Sequence, residues 1–148
     1  FKVGNMEISK HTGAPLDGTG IKVTYNQEVE RFFGLVRKLK EGALKGSDSI
    51  AVSIASDKKL TLMFQLEQKG GVKFNSTIEV PGDQTARTYT FKYKEMAPSG
   101  DSKDPNADLI PADVTQIILA DLNGLTGLAN GNTSLYIGKI AAKVSSKP

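Results

Sequence analysis

Most of the chain alternates apolar and polar residues with a period of two, the pattern that a β-strand with one buried face produces. The alternation is found in seven segments: residues 21–25, 50–55, 60–67, 72–80, 88–93, 115–122 and 134–144. Polar or glycine-rich turns separate them at the roughly eight- to twelve-residue spacing of sandwiches and barrels. The pattern therefore predicts an all-β fold, an antiparallel sandwich of eight or nine strands.

Residues 28–41 fit two patterns. Their apolar residues fall at helical spacing, at Val29, Phe32, Phe33, Val36 and Leu39. Residues 31–37 also fit a strand in which Gly34 marks a bulge. Because the surrounding segments all have the strand pattern, we favour the strand.

Two long loops interrupt the strands. Residues 97–111 contain three prolines and several aspartates, and residues 123–132 are rich in glycine and asparagine. Neither loop has the composition of an interdomain linker, and no internal repeat is visible. We therefore expect one domain over residues 1–148. Because the chain begins with Phe1, we also expect it to be a mature or excised piece of a larger secreted or surface protein.

Composition and charge exclude several classes of function. The chain lacks cysteine and has one histidine, which excludes thiolate zinc sites, cysteine nucleophiles and multi-histidine metal centres. The longest apolar run, residues 32–36, is far shorter than the ~20 residues that span a bilayer, so no membrane span is expected. The net charge of +3 comes from scattered lysines and arginines, and no nucleic-acid partner is expected.

The order of the segments resembles a known superfamily. A strand at residues 46–52 precedes a second at 60–66, the Gly70-Gly71 turn and a third at 72–80. Strands at residues 88–93, 114–119 and 133–140 complete the series. This order over residues 18–144 resembles the galactose-binding-like jelly rolls. That superfamily includes carbohydrate-binding modules of glycoside hydrolases and the complex I intermediate-associated protein family.

The resemblance implies a jelly-roll sandwich that binds sugars as a non-catalytic accessory of a secreted enzyme. Two positions depart from the family pattern. The family usually has a tryptophan near residues 86–91, and this chain has none. Lys139 stands where the family often has an acidic ligand of a structural calcium. We therefore expect no cofactor, and the implied calcium site lacks one of its ligands.

One face of the central strands carries the polar groups that sugar recognition requires. On that face, residues 60–67 and 72–80 place amide, carboxylate and ammonium groups that can hydrogen-bond hydroxyls. We place Thr88, Thr90 and Lys92 beside it. The candidate ligand-binding residues are Gln65, Glu67, Lys73, Asn75 and Lys92. The same residues also fit the ordinary solvent face of an antiparallel sheet.

Catalytic and metal-binding patterns are weak. His11 lies in a turn-like segment, and no nucleophile-elbow motif accompanies it. Glu67 and Glu79 fall on one face of neighbouring strands, as a glycosidase carboxylate pair would. The segment Asp104-Pro105-Asn106-Ala107-Asp108 has the first spacings of a calcium loop, but Leu109 replaces the required glycine. We therefore expect neither an enzyme nor a metal site.

These observations predict a secreted or cell-surface module that binds a polysaccharide through one polar sheet face. Its expected partners are a glycan and a neighbouring catalytic domain in the same polypeptide. The alternative is a structural or protein-interaction domain that braces a neighbouring domain without binding sugar. The absence of tryptophan favours this alternative.

Overall fold

The computed structural model describes residues 2–3, 5–104, 106–127 and 129–144, and within them the chain forms eleven strands. Their bounds are β1 Lys2–Val3, β2 Glu7–Thr12, β3 Thr19–Gln27, β4 Arg31–Lys38, β5 Ser49–Ser56, β6 Leu60–Gln68, β7 Val72–Val80, β8 Arg87–Lys92, β9 Ala97–Pro98, β10 Val114–Asp121 and β11 Gly131–Lys143. Short 3-10 helices occupy Lys69–Gly71, Tyr93–Glu95, Pro111–Asp113 and Asn123–Thr126. These ranges contain no helix long and apolar enough to cross a bilayer.

The strands form two sheets that face each other. One sheet has six strands in the order β1-β4-β10-β6-β7-β9, and the other has five in the order β2-β3-β11-β5-β8. Neighbouring strands are antiparallel except for β1 and β4, which run parallel. The predicted all-β antiparallel jelly-roll sandwich is confirmed. Among the described residues, nine of the strands have six or more residues, which agrees with the expected number.

The core lies between the sheets and follows from the alternation along the strands. Residues of one parity turn inward from both sheets and are buried, as in Ile50, Val52 and Ile54 of β5. The rings of Phe64 and Phe91 stack across the interface with centroids 4.0 Å apart. The aromatic residues of the 88–93 segment therefore belong to the core, as their alternation predicts.

Residues 31–38 form strand β4, so the strand prediction for this segment is confirmed. Its pairing with β10 runs without interruption from Phe33 to Lys38, so the predicted bulge at Gly34 is wrong. Phe33 is buried between the sheets, whereas the side chain of Val36 points to the other face and is 57% exposed. The helical spacing arose because apolar residues occupy both faces of this strand.

Strand β2 was not predicted. Glu7–Thr12 pairs with β3 at the edge of the five-stranded sheet, and nearly all its side chains are exposed. An edge strand with both faces open to solvent needs no apolar alternation. The sequence pattern therefore gave no signal for it, and His11 lies in this strand rather than in a turn.

A buried polar cluster joins the two sheets at one end of the sandwich. The Asp121 carboxylate, in β10, is 2% exposed and accepts hydrogen bonds from the Tyr25 hydroxyl at 2.8 Å and from the Gln27 amide, both in β3. It also accepts one from the Asn123 backbone N–H at 2.8 Å. The Gln27 side chain in turn accepts from the Asn130 N–H at 2.8 Å. The cluster thus ties both sheets to the loop after β10.

Replacing Asp121 with asparagine should lower the free energy of unfolding by about 2–4 kcal/mol, because an amide cannot accept from all three donors and leaves one unpaired. Urea denaturation followed by circular dichroism measures the change. Asp83→Asn is the control, since Asp83 forms an exposed ion pair with Arg87, and it should leave the midpoint nearly unchanged. Equal midpoints for both variants would contradict the role of the cluster.

The cluster also predicts a loss of stability in alkali. Burial, and then the negative charge of Asp121, raise the pKa of the Tyr25 hydroxyl far above its ordinary value. In the unfolded chain this hydroxyl ionises near pH 10. Above that pH the folded state keeps a proton that the unfolded state has lost, so the free energy of unfolding falls as pH rises.

Tyr25→Phe removes this titration, so stability should fall less steeply between pH 10 and 11.5 in the variant than in the wild type. The single group accounts for up to about 1.4 kcal/mol per pH unit. Urea midpoints across this pH range measure the two slopes, and the other tyrosines and the lysines contribute equally to both proteins. Parallel slopes would show that the Tyr25 hydroxyl is not held neutral by the fold.

Candidate functional site

The outer face of the six-stranded sheet carries a set of polar side chains that we call the polar face: Gln65, Glu67, Lys73, Asn75 and Gln116. Strand pairing brings these residues together in two rows. In one row, Glu67 of β6 lies between Gln116 of β10 and Lys73 of β7. In the other, Gln65 lies opposite Asn75. Four of the five predicted ligand-binding residues therefore share one surface.

The Gln65 and Asn75 side chains form an amide pair. Gln65 Nε2 donates to Asn75 Oδ1 at 2.7 Å. Within the described residues, Gln65 Oε1 and Asn75 Nδ2 have no further partner. The pair thus presents one acceptor and one donor side by side. Exchanging the oxygen and nitrogen positions of both amides would swap these roles and still leave one of each.

Glu67 carries a second set of available acceptors. Gln116 Nε2 donates to Glu67 Oε1 at 2.9 Å, which holds the carboxylate against the sheet. Glu67 Oε2 and Gln116 Oε1 have no partner among the described residues. A carboxylate held in this way accepts hydrogen bonds without losing further side-chain entropy on binding.

Lys73 is held by the long loop after β9. Lys73 Nζ contacts Asp101 Oδ2 at 2.9 Å, and the buried Ser99 hydroxyl donates to the other oxygen of Asp101. The hydrogen bond to Asp101 raises the pKa of Lys73. The Ser99 hydrogen bond, followed by that of Lys73, lowers the pKa of Asp101. Both groups are therefore charged at neutral pH, and the ammonium is already engaged.

The middle of this face is sheltered although no element covers it in the described structure. Along the row through Gln65, the exposed fraction falls from 57% at Val36 to 5% at Gln65. It rises again through half-buried Asn75 to exposed Ala97 on β9. The profile is that of a shallow trough. Among the described outward-facing side chains of this sheet, apolar contact comes from Val36, Ile118 and Met63, and none is aromatic.

Lys92 does not belong to the polar face, so its predicted position beside the other four residues is wrong. Its strand β8 pairs with β5 in the five-stranded sheet, where Lys92 lies opposite Ser49. Alternation along a strand shows which residues share a face but not which sheet the strand joins. Lys92 instead lines a separate cleft of about 680 Å³ between the end of β8 and residues 106–109.

The structure separates the groups that sequence reasoning considered for catalysis. Glu79 of β7 lies opposite Thr61 of β6, and Thr61 is six residues from Glu67 along that strand. The two carboxylates are therefore roughly 20 Å apart. Glycosidase pairs lie within about 10 Å. His11 Nε2 donates to the Ala14 carbonyl at 2.8 Å, and its ring packs edge-on against Tyr136. Neither group has the geometry of a catalytic pair.

The acidic loop has local contacts of its own. Asp104 Oδ1 accepts a hydrogen bond from the Asn106 backbone N–H at 3.1 Å, as in an Asx turn. Gln68 fastens the far end of the loop, accepting from the Ile110 N–H at 2.9 Å and donating to the Asp108 carbonyl at 3.1 Å. Within the described ranges, no three acidic or histidine side chains stand close enough together to hold a metal ion.

Sequence reasoning missed two members of the site, Gln116 and Asp101. Gln116 has the outward parity of its strand, since Ile117 and Leu119 turn inward, so its face could have been inferred. That β10 pairs with β6 could not be inferred, because the two strands are far apart in sequence. Asp101 carried no periodic signal, since it reaches Lys73 from an irregular loop.

Comparison with known proteins relates the chain to solved structures only. No protein-family model matches it, and no curated protein sequence does. It is similar to the family 11 carbohydrate-binding module of the cellulosomal cellulase Lic26A-Cel5E of Clostridium thermocellum, with a TM-score of 0.74, 14% identity, and coverage of 98% of this chain and 85% of that one. A family 11 module from the same organism, in complex with a β-1,3-1,4-mixed-linked tetrasaccharide, is similar as well. Its TM-score is 0.66 and its sequence identity 16%, and the match covers 95% of this chain and 86% of that one.

An exo-β-agarase is also similar, with a TM-score of 0.66, 16% identity and 97% of this chain covered. The match spans only 24% of the agarase chain. These likenesses concern the fold. The chain shares the fold of these carbohydrate-binding modules, as the resemblance in the order of its segments implies.

The contacts of Asp101 predict how its carboxyl group titrates. Removing the Ser99 hydroxyl in Ser99→Ala should raise the pKa of Asp101, and so should Lys73→Met, because the Ser99 hydrogen bond and then the hydrogen bond and charge of Lys73 lower that pKa. Carboxyl-carbon NMR measures both changes. The pKa of Asp83, held at about 2 mainly by Arg87, is the internal control and should stay unchanged. An Asp101 that titrates like a free side chain in the wild type would contradict the geometry.

Proposed function

We propose that this chain is a non-catalytic carbohydrate-binding module that recognises a polysaccharide through the polar face. The observation that carries the proposal is the Gln65–Asn75 amide pair, which presents a free acceptor and a free donor next to each other. Two neighbouring hydroxyls of a sugar ring can each donate and accept, so they match this pattern. The carboxylate of Glu67 extends the same surface by one row.

The fold supports the proposal, since similar structures include a module in complex with a tetrasaccharide. The separation of Glu67 from Glu79 supports the non-catalytic part. The likeness to one quarter of an agarase supports a neighbouring catalytic domain as partner. A polysaccharide ligand also accords with a secreted or cell-surface location.

The composition of the face predicts weak binding by a single site. Sugar rings stack their C–H surface on aromatic side chains, and the described outward residues of this sheet offer only aliphatic ones. Attachment to a catalytic domain compensates, because tethering raises the effective concentration of each site along a polymer. We expect this binding to need no calcium.

Affinity electrophoresis against soluble polysaccharides, including a β-1,3-1,4-mixed-linked polymer and an agarose, tests the proposal. The test variant is Gln65→Leu/Asn75→Leu, which replaces both partners of the amide pair and so keeps the core intact. Thr88→Val/Thr90→Val, on the outer face of the opposite sheet, is the matched control. We expect one polymer to retard the wild type and the control, and the test variant to bind about tenfold or more weakly.

Three other outcomes would count against the proposal. Retardation of the test variant equal to that of the wild type would place the glycan site elsewhere. Retardation that disappears in a chelator would show that a calcium ion takes part. No retardation by any polymer would favour the alternative, a domain that braces its neighbour. The lack of an aromatic platform on the described polar face also favours that alternative.

A further inference from the structure

A second concave site lies between the two sheets, away from the polar face. It is an apolar cavity of about 420 Å³, within the range of roughly 300–1,000 Å³ that small-molecule sites occupy. Ile21 and Ile137 line it from the five-stranded sheet, and Leu35, Phe64 and Ile117 line it from the six-stranded sheet. A cavity with such walls holds hydrocarbon more readily than water.

The cavity opens between two free strand edges. In the described structure, β2 is the outer strand of its sheet, and β1 pairs only with the first two residues of β4. Ile8 lies at this opening, and its side chain is 57% exposed. On the inner side, the pairing of β11 with β5 shifts register between Ile137 and Ile140, both of which line the cavity. Bulges of this kind commonly occur beside binding sites.

A positive charge lies at the exposed rim of the apolar cavity. Arg37 has the inward parity of β4, two residues after Leu35, and lines the cavity. No hydrogen bond or ion pair engages its guanidinium in the described part of the chain. Lys10 lies two residues after Ile8 in β2, and its backbone pairs with Ile21 of the cavity wall. The mouth therefore favours an anion, and the interior favours hydrocarbon.

From this arrangement we propose that the chain binds a fatty acid in the cavity, with the alkyl chain between the sheets and the carboxylate on Arg37. The guanidinium forms two parallel hydrogen bonds with a carboxylate, which gives the site a preference for the acid over an alcohol of the same length. The site is independent of the polar face, which lies on the outside of the six-stranded sheet.

Isothermal titration with dodecanoate, below the concentration at which it forms micelles, tests this proposal. Dodecanol and dodecyltrimethylammonium serve as neutral and cationic probes of the same chain length. We expect dodecanoate to bind with one-to-one stoichiometry and more tightly than the other two. Arg37→Gln should weaken dodecanoate about tenfold and leave dodecanol unchanged, whereas Leu35→Trp, which fills the cavity, should abolish both. Arg87→Gln, the same substitution at a distant surface site, is the control.

Several results would overturn the proposal. One is the absence of dodecanoate binding by the folded wild type. Self-association of Arg37→Gln in that case would mean that Arg37 only protects a free sheet edge. Another is equal weakening by Arg37→Gln and Arg87→Gln, which would indicate unspecific binding. If Leu35→Trp fails to fold, methyl NMR of the wild type decides: dodecanoate must shift the methyl signals of Ile21, Ile117 and Ile137, and unchanged signals reject the site. Gln65→Leu/Asn75→Leu should keep full dodecanoate binding, which separates this site from the proposed glycan site.

Discussion

The buried carboxylate of Asp121 fixes how the two sheets meet. It lies in β10, whereas Tyr25 and Gln27, two of its donors, lie in β3 of the opposite sheet. A buried charge must have its hydrogen bonds satisfied, so this contact favours a single relative position of the two sheets. Asn123, which donates to Asp121, also accepts a hydrogen bond from the Thr61 backbone N–H of β6, and the register of β10 against β6 puts Gln116 beside Glu67. The rings of Tyr25 and Phe33, tilted by 35° with centroids 4.6 Å apart, pack beside the same contact.

Most of the fold could be predicted from the sequence, because a sandwich buries one face of each main strand. That burial produces an alternation of apolar and polar residues with a period of two. The segments that became β5, β6 and β7 show this most clearly. The pattern failed where burial does not impose it. Glu7–Thr12 forms an edge strand with exposed side chains, and Gly34 lies in a regular strand although glycine there reads as a bulge. For residues 31–38 the neighbouring strands gave the right answer where periodicity favoured a helix.

The candidate site was readable in part for the same reason. Gln65, Glu67, Lys73 and Asn75 lie on adjacent strands joined by a tight turn, so local sequence places them on one face. Gln116 and Asp101 reach that face through pairings and loop contacts between distant segments, which no local pattern encodes. The prediction for Lys92 failed for the opposite reason. Its strand β8 directly follows β7 along the chain but pairs with β5 in the other sheet.

The outermost strands of the six-stranded sheet, β1 and β9, have only two residues each, so in the described structure β4 keeps an open outer edge beyond Phe32. Two exposed cationic residues, Arg37 and Lys38, lie on that open part. Positive charges on an edge oppose its pairing with the same edge of another copy, because like charges would be brought together. Copies that crowd along one polymer, as the proposed function requires, can therefore remain separate, each still free to release and rebind.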